Sequence, residues 1–269
     1  MNLLTRANPG ARNIVALRPG LLDYVGFNAY RLEAGERLPV SADDRELCVV
    51  LLSGHATIVG EAPGQGGFLW ENVGERRSVF EDIAPYAVYL PPDSQASFTA
   101  LGPVHLAVCS APGADGGRVP ARLITPDSIK RSVRGKAGNL RYVCDVLPDT
   151  EPAHSLLVME VRTPSGHSSS YPPHRHEIDD LPAESFLEET FYHMVDPVQG
   201  FVFQRVYTDD RSIDQAMAVE NHDLVIVPQG YHPVCVPHGY QSWYLNVMAG
   251  PVRALQARND PRHNALLDL

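Results

Sequence analysis

Two histidines stand one residue apart in the heptapeptide YPPHRHE, residues 171–177. A neutral imidazole offers one nitrogen lone pair, and such nitrogens suit divalent first-row metals. In an extended segment residues i and i+2 share a face, so His174 and His176 project together and Arg175 points away. Pro172 and Pro173 favour the extended shape and fix it in advance. A carboxylate from a neighbouring strand would extend the set, and the segment EETFYHMV offers Glu188 and Glu189. Glu189 shares a face with Phe191 and His193, whereas Glu188 shares one with Thr190 and Tyr192. The strand by itself does not say which face is interior. A later segment, QGYHPV, supplies His232 directly after a Pro-x-Gly turn. Three imidazoles and one carboxylate leave coordination positions open, as a catalytic metal requires. HRHE alone would read as a solvated turn; Glu189, His232 and a repeated strand pattern make the metal site the favoured reading.

The elements that must position these residues are short. Twenty-three prolines and twenty-one glycines punctuate runs rich in Val, Leu, Ile, Tyr and Phe, a pattern that predicts many strands and few helices. Strands are expected at Glu46–Leu52, His55–Val59, Tyr86–Leu90, Val104–Ser110, Leu140–Leu147 and Leu156–Arg162, then at Glu189–Val195, Phe201–Tyr207, Asp223–Val227, His232–Val236 and Ser242–Met248. Helix is expected only around Asn259–Leu267 and in parts of Thr125–Val133. The two halves repeat one order: ELCVVLL, a turn, VYLPP and VHLAVCSA in the first; EETFYHMV, a turn, VIVPQG and SWYLNVMAGP in the second. A strand ending in proline before a small-residue turn, occurring twice, predicts an all-β chain of two antiparallel jelly-roll barrels. The expected division is a first barrel without metal ligands over 1–115, a linker over 116–138 and a metal-binding barrel over 139–269.

A formal net charge of −10 disfavours a nucleic-acid or anionic-membrane partner, both of which need clustered Lys and Arg, and points to a small molecule. The N-terminal MNLLTRANPG has no apolar leader core, and no run approaches the roughly 18 apolar residues that span a bilayer. Cys48, Cys109, Cys144 and Cys235 are scattered in apolar contexts without a CxxC pair and read as buried reduced thiols. These features lead us to expect a cytoplasmic protein. Edge strands of such barrels favour a homo-oligomer.

The order GHSSSYPPHRHE, then a glutamate before an aromatic strand, then VPQGYH, resembles the two metal-binding motifs of cupins. Glu189 lies thirteen positions after His176, so EIDDLPAE reads as an insertion in the first motif. The longer strings SSYPPHRHE, LEETFYH, GFVFQRVYTDDRS, VPQGYHPV and YLNVMAGP, with LCVVLLSGHATI, GERRSVF and AVYLPP earlier, resemble the 5-deoxy-glucuronate isomerase family. These are bicupins of myo-inositol catabolism, related to 5-keto-4-deoxyuronate isomerase, and the likeness covers nearly the whole chain. It implies His174, His176, Glu189 and His232 as ligands of a divalent metal, with Glu188 the fallback for Glu189. Zinc is the first expectation for the metal, before manganese, iron, nickel or cobalt.

The reaction so implied is an aldose–ketose isomerisation of 5-deoxy-D-glucuronate to 5-dehydro-2-deoxy-D-gluconate. Its hard step removes a proton from carbon next to a carbonyl, and positive charge would stabilise the enediolate. Arg205 and Arg141 are candidate partners of the substrate carboxylate. Tyr207, Glu160, Tyr244 and Tyr231 are candidates for acid or base. Against these stand plainer readings: Arg205 as a strand-face ion pair, His193 as packing, and His222, His238 and His263 as surface residues. Phe201, Phe203 and Tyr207 read as barrel-wall core, and YTDDR as a turn. A cupin dioxygenase using iron, separable by oxygen consumption, and a non-catalytic sugar-acid-binding bicupin are the other function classes.

Overall fold

The computed structural model describes residues 1–113 and 119–267. The chain divides into two compact units. One, here the C-terminal unit, comprises Met1–Ala7, Arg131–Cys144 and Met159–Leu269; the N-terminal unit comprises Asn8–Lys130 and Asp145–Val158. This division departs from the expected 1–115, 116–138 and 139–269, for reasons that lie in the backbone. Leu4–Thr5 pairs antiparallel with Leu224–Val227, and Asp223 accepts the Ala7 amide at 2.9 Å and an Arg6 guanidinium N–H at 2.6 Å. These bonds tie the chain's start into the C-terminal unit. In the N-terminal unit the buried Glu46 carboxylate accepts the backbone N–H groups of His154, Ser155 and Leu156 and the Tyr89 hydroxyl, all within 2.7 Å. Charge-assisted bonds of this number satisfy an otherwise costly buried anion and anchor the 145–158 segment.

The duplication is plain in the strand orders. One sheet runs Leu4–Thr5, Leu224–Val227, Glu188–Asp196, Gln241–Ala249, Leu157–Thr163, Arg141–Leu147, Lys130–Arg134. Its counterpart runs Arg122–Ile124, Tyr86–Leu90, Arg45–Ser53, Val104–Pro112, Gly26–Leu32, Asn13–Ala16. Each has a smaller companion: Ser168–Ser169, Val234–Cys235, Phe201–Tyr207, Asp214–Glu220 in one case, and Arg37–Ser41, Gln95–Ala100, Ala56–Ala62, Gly66–Val73 in the other. The central strands Glu188–Asp196 and Arg45–Ser53 are buried along nearly their whole length, while Phe201–Tyr207 and Asp214–Glu220 alternate between buried and exposed. A central strand flanked on both edges and covered on both faces must be apolar throughout, whereas an outer strand needs only one apolar face.

All eleven expected strands are present, most within two residues of the expected ends, although the last hairpin strand shortens to Val234–Cys235. Several others escaped the sequence pattern, among them Gly26–Leu32, Gly66–Val73 and Asp214–Glu220, whose outward positions are mostly polar, glycine or alanine, with Leu69 exposed as well. The expected linker carries strands Arg122–Ile124 and Lys130–Arg134 and a short 3-10 turn at Pro126–Ser128; residues 116–118 of it lie outside the described residues. The expected C-terminal helix is a two-residue strand, Arg258–Asn259, followed by a 3-10 helix over Pro261–Leu267. Among the described residues no helix is long and apolar enough to cross a membrane.

Strand phase corrects three further expectations. Val234 and Val236 are buried, which turns Cys235 outward, so it is exposed; Cys48 and Cys109 are buried, and Cys144 is partly so. Burial pushes the Cys48 thiol up to about 12. Phe203 lies on the same outward face and is 51% exposed, so it is not core. His222 is buried rather than at the surface, and its Nδ1 lies 2.7 Å from the Tyr192 hydroxyl.

Candidate metal centre and active-site cavity

The HxH segment forms the short strand His174–Arg175, paired antiparallel with Arg258–Asn259, and the Asp260 amide donates to the Pro173 carbonyl at 2.8 Å. Alternation then divides the segment's side chains. His174 and His176 face a cavity of about 260 Å³, whereas Arg175 turns away from it. The Arg175 guanidinium is buried, donates to Glu184 at 3.2 Å and to Asp209 at 2.5 Å, and lies 5.5 Å from the centre of the Tyr231 ring. Burial lowers its pKa, but the surrounding Glu184, Tyr231, Glu177 and Asp209 outweigh that and raise it.

The acidic insertion is closed at its neck. Glu184 accepts from the amides of Glu177 and Ile178 at 2.8 and 3.2 Å, and the Leu187 amide donates to the His176 carbonyl at 3.2 Å. The chain thus leaves the ligand strand, loops out, and returns beside His176 to begin the strand Glu188–Asp196. The wide spacing between His176 and Glu189 costs the site nothing in geometry.

Glu189 lines the cavity with Phe191 two residues on, and Glu188 lies on the other face of the same strand. Asn246, on the adjacent strand, donates from Nδ2 to Glu189 Oε2 at 3.0 Å. Glu189 Oε1 is buried and accepts no hydrogen bond, and it stands 3.2 Å from His176 Nε2. His232 Nε2 lies 3.6 Å from Oε2 of the same carboxylate. The ligand atoms of His174, His176 and His232 fall within 4.8 Å of one another.

The tautomers follow from the backbone. His176 Nδ1–H points to the Gln256 carbonyl at 3.3 Å, and His232 Nδ1–H to the Gly230 carbonyl at 3.0 Å. Each Nε2 therefore keeps its lone pair, directed at the Glu189 carboxylate. Burial, reinforced by His232 and His176, holds His174 well below the usual imidazole range. Burial likewise lowers His176, against the opposing pull of Glu189. Neutral imidazole nitrogens facing a carboxylate oxygen across 3.2 Å set acceptor against acceptor in a buried space. A cation between them resolves that conflict, so the donor set fits a divalent metal. Carbonyl partners on the far nitrogens are the usual device for orienting metal-binding imidazoles.

The rest of the cavity combines polar and apolar walls. Arg134, Arg141, Ser170 and Tyr244 contribute the polar groups; Met159, Val161, Phe191 and Met248 contribute the apolar ones. Tyr244 is buried, and that burial raises its phenol above the ordinary value. Burial lowers Arg141, with Tyr244 opposing and Arg134 adding to the fall. These shifts place Arg134, Arg141 and Tyr244 within electrostatic reach of one another.

The structure thus brings together His174, His176, Glu189, His232, Arg141 and Tyr244. It does not bring the other candidates. Arg205 faces outward, bonded to both oxygens of Asp214 at 2.8 and 2.9 Å, and is the strand-face ion pair of the plainer reading. Tyr207 is buried elsewhere, its hydroxyl donating to Asp260 at 2.9 Å, and the Tyr231 ring lies tilted against it with ring centres 5.1 Å apart. Glu160 sits between Met159 and Val161, which line the cavity, so it points to the opposite face of its strand. His193, on the Glu189 face, is packed: its Nε2 lies 2.9 Å from Gln204 Oε1, and burial lowers it to about 4.

Sequence reasoning missed Arg134, Ser170, Asn246 and the strap 254–257, whose Gln256 carbonyl orients His176 and whose Leu255 and Ala257 line the cavity. Asn246 was findable as the one amide in the otherwise apolar run WYLNVMA. The strap has no such signal, because its contribution is a backbone carbonyl.

A sequence model of the KduI/IolB family matches residues 3–266. The 5-deoxy-glucuronate isomerase of Geobacillus kaustophilus is 49% identical over 259 residues, covering 95% of this chain and 91% of that protein. The 5-deoxy-glucuronate isomerase of Bacillus subtilis strain 168 is 47% identical over 248 residues, covering 92% and 89%. The crystal structure of an IolB-like protein from Salmonella typhimurium superposes with a TM-score of 0.93 at 45% identity, covering 99% of this chain and all of that one. Oxalate decarboxylase from Lactobacillus farciminis superposes at a TM-score of 0.67 with 12% identity over 96% of this chain and 88% of its own, a likeness of fold alone.

Proposed function

Since this chain belongs to the KduI/IolB family, we propose that it is an aldose–ketose isomerase converting 5-deoxy-D-glucuronate to 5-dehydro-2-deoxy-D-gluconate. The observation that carries this reading is the buried convergence of three imidazoles and Glu189 in a cavity that also holds Arg141 and Tyr244, within a chain alignable almost end to end with such isomerases. His174, His176, Glu189 and His232 would hold a divalent cation, zinc by preference for this nitrogen-rich set. When bound, the cation supplies positive charge where the carbonyl oxygen of the aldose becomes anionic.

The chain's own groups do the remainder. Arg141 pairs with the substrate carboxylate and so orients the sugar acid along the cavity. Tyr244, kept protonated by burial, donates a hydrogen bond to a substrate oxygen and can return a proton there as charge shifts between the two carbons. Phe191, Met159, Val161 and Met248 exclude water, which strengthens each of these interactions. Isomerisation moves a proton from one carbon to its neighbour and consumes no oxygen, which separates it from dioxygenase chemistry. We take the cytoplasm as its compartment, a reading supported by four cysteines that form no disulfide.

The test combines elemental analysis with an assay on 5-deoxy-glucuronate. One divalent ion per chain and ketose formation without oxygen uptake are expected. Full turnover after complete removal of the metal by a chelator would overturn the metal-dependent reading.

A further inference from the structure

The acidic insertion between His176 and Glu189 has an exposed tip and a buried base. Residues 178–183 are exposed, whereas Glu184 and Ser185 are only 1% and 0% exposed. A carboxylate and a hydroxyl taken out of water need partners to offset the lost hydration, and the partners of these two side chains surround His176. Glu184 holds the ligand strand from behind. Its Oε1 accepts from the Arg175 guanidinium at 3.2 Å and from the amides of Glu177 and Ile178 at 2.8 and 3.2 Å. These bonds fall on both sides of His176 in the sequence, and the Leu187 amide adds one to the carbonyl of His176 itself at 3.2 Å. Arg175 carries the hold further: it also donates to Asp209, and its guanidinium lies 5.5 Å from the ring centre of Tyr231, the residue directly before His232.

Ser185 holds the strap. Residues 253–257 form neither strand nor helix, so no regular backbone ladder fixes their course. Ser185 Oγ donates to the Ala254 carbonyl at 2.7 Å and accepts from the Gln256 amide at 3.1 Å, while the Ser185 amide donates to the Gln256 carbonyl at 3.0 Å. That carbonyl is the oxygen facing His176 Nδ1 at 3.3 Å. Three bonds from one residue therefore fix the group that selects the His176 tautomer and sets the angle of its ring. His232 depends on no remote segment in this way, because the Gly230 carbonyl two residues before it serves its Nδ1.

We infer that Glu184 and Ser185 form a clasp that positions His176 for metal binding: Glu184 holds the backbone on which the imidazole stands, and Ser185 holds the carbonyl that orients it. Both are positioning residues, and neither is among the groups that line the metal cavity. An imidazole whose ring is held from outside loses less freedom when it takes up an ion, which is how supporting groups raise metal affinity. The base of the insertion thus belongs to the supporting structure of the metal centre, and its exposed tip does not. The inference rests on the proposed reading of His174, His176, Glu189 and His232 as ligands.

The experiment loads the full chain with Co²⁺. Competition with a chromophoric chelator reads affinity, visible absorption of the bound ion reads ligand geometry, and denaturant midpoints of the metal-free protein read folding. Ser185→Ala should raise the Kd for Co²⁺ by about tenfold to a hundredfold, as loss of an orienting partner does, and should shift the visible bands because one nitrogen ligand has lost its fixed angle. Glu184→Gln keeps an acceptor for the two amides but removes the charge opposite Arg175, and should weaken affinity by a smaller factor. Leu181→Ser, at the exposed tip, should match the wild type in affinity and spectrum. A lower midpoint in Ser185→Ala with unchanged affinity and spectrum would show a hydroxyl that serves folding alone and would overturn the clasp. A loss of affinity in Leu181→Ser as large as in Ser185→Ala would overturn its confinement to the buried base. If Ser185→Ala is poorly folded, Glu184→Gln carries the test, and wild-type affinity and spectrum in that variant would reject the inference. A wild type that binds no Co²⁺ would overturn the metal centre and the clasp with it, whereas tight binding left unaltered by every variant would remove the clasp and leave the metal centre standing.

Discussion

At the position where one sheet holds Glu189, its counterpart holds Leu47. Glu189 pairs with Val227, the last residue of its strand, and Leu47 pairs with Leu90, the last residue of the corresponding one. The same register matches Phe191 with Val49, His193 with Leu51 and, on the next strand, Asn246 with Val108. In the N-terminal unit these inward positions join a continuous hydrophobic cluster that includes Leu32, Phe98 and Leu106. The turns differ in the same sense. Gly230 and Asp93 each follow three residues after those strand ends, and both have positive φ, 95 and 61. A Cβ at Gly230 would lie 2.6 Å from the Tyr207 carbonyl oxygen, so the glycine allows the close approach that puts its own carbonyl on His232 Nδ1. The jelly roll is thus indifferent to what lines its interior. One copy fills the space with side chains worth about 1.5–3 kcal/mol each on burial, and the other leaves a cavity and gathers metal-binding groups around it.

The sharpest way to break this contrast is to exchange the paired residues. Glu189→Leu should abolish tight metal binding and isomerase turnover while the far-ultraviolet circular dichroism stays that of the wild type, because leucine is what the other copy carries there. The mirror change, Leu47→Glu, buries a carboxylate among aliphatic groups and should destabilise the protein by about 3–5 kcal/mol. Denaturant titration reads that loss. Wild-type metal affinity in Glu189→Leu would show that the carboxylate is no ligand, and an unchanged midpoint in Leu47→Glu would show that the N-terminal interior is not the packed core described.

Most of the fold was legible because jelly-roll strands announce themselves through apolar runs and Pro-Gly punctuation. Strands such as Gly66–Val73 were not, since two leading glycines and an apolar run, Phe68–Leu69–Trp70, with the leucine outward break the two-residue alternation. HxH, Glu189 and His232 were legible as a set because ligand chemistry restricts residue type. Arg141 and Tyr244 could be nominated but not separated from Arg205, Tyr207, Tyr231 and Glu160, whose directions depend on strand phase. The exchange of Met1–Ala7 and Asp145–Val158 between the units was invisible, because it is carried by backbone pairing and by the Glu46 carboxylate, far away in sequence.

A smaller effect sharpens the comparison at Asn246. Its amide holds Glu189 Oε2 and leaves Oε1 free, a bond Val108 cannot make in the other copy. Asn246→Val should weaken metal affinity by about tenfold to a hundredfold, as loss of an orienting partner does, with little change in the stability of the metal-free protein. Competition with a chromophoric chelator measures this apart from turnover. Unchanged affinity would mean that the strands alone orient Glu189.

The last difference is one of acid response. Burial lowers His193 to about 4 from an ordinary 6.5, so below pH 6.5 the unfolded chain binds a proton that the native state refuses. Stability therefore falls as pH drops from 6.5 towards 4, by a contribution on the order of 3 kcal/mol when the window has been crossed. Leu51, at the matching position, has no proton to bind. His193→Leu should be less stable at pH 7, because Gln204 loses its partner, yet its stability should decline less steeply between pH 6.5 and 4. Denaturant midpoints of the metal-free protein across that range read the slope directly. An equal slope in wild type and variant would move the acid sensitivity to His174 and His176, whose imidazoles are lowered by the same burial and lie on the ligand strand instead.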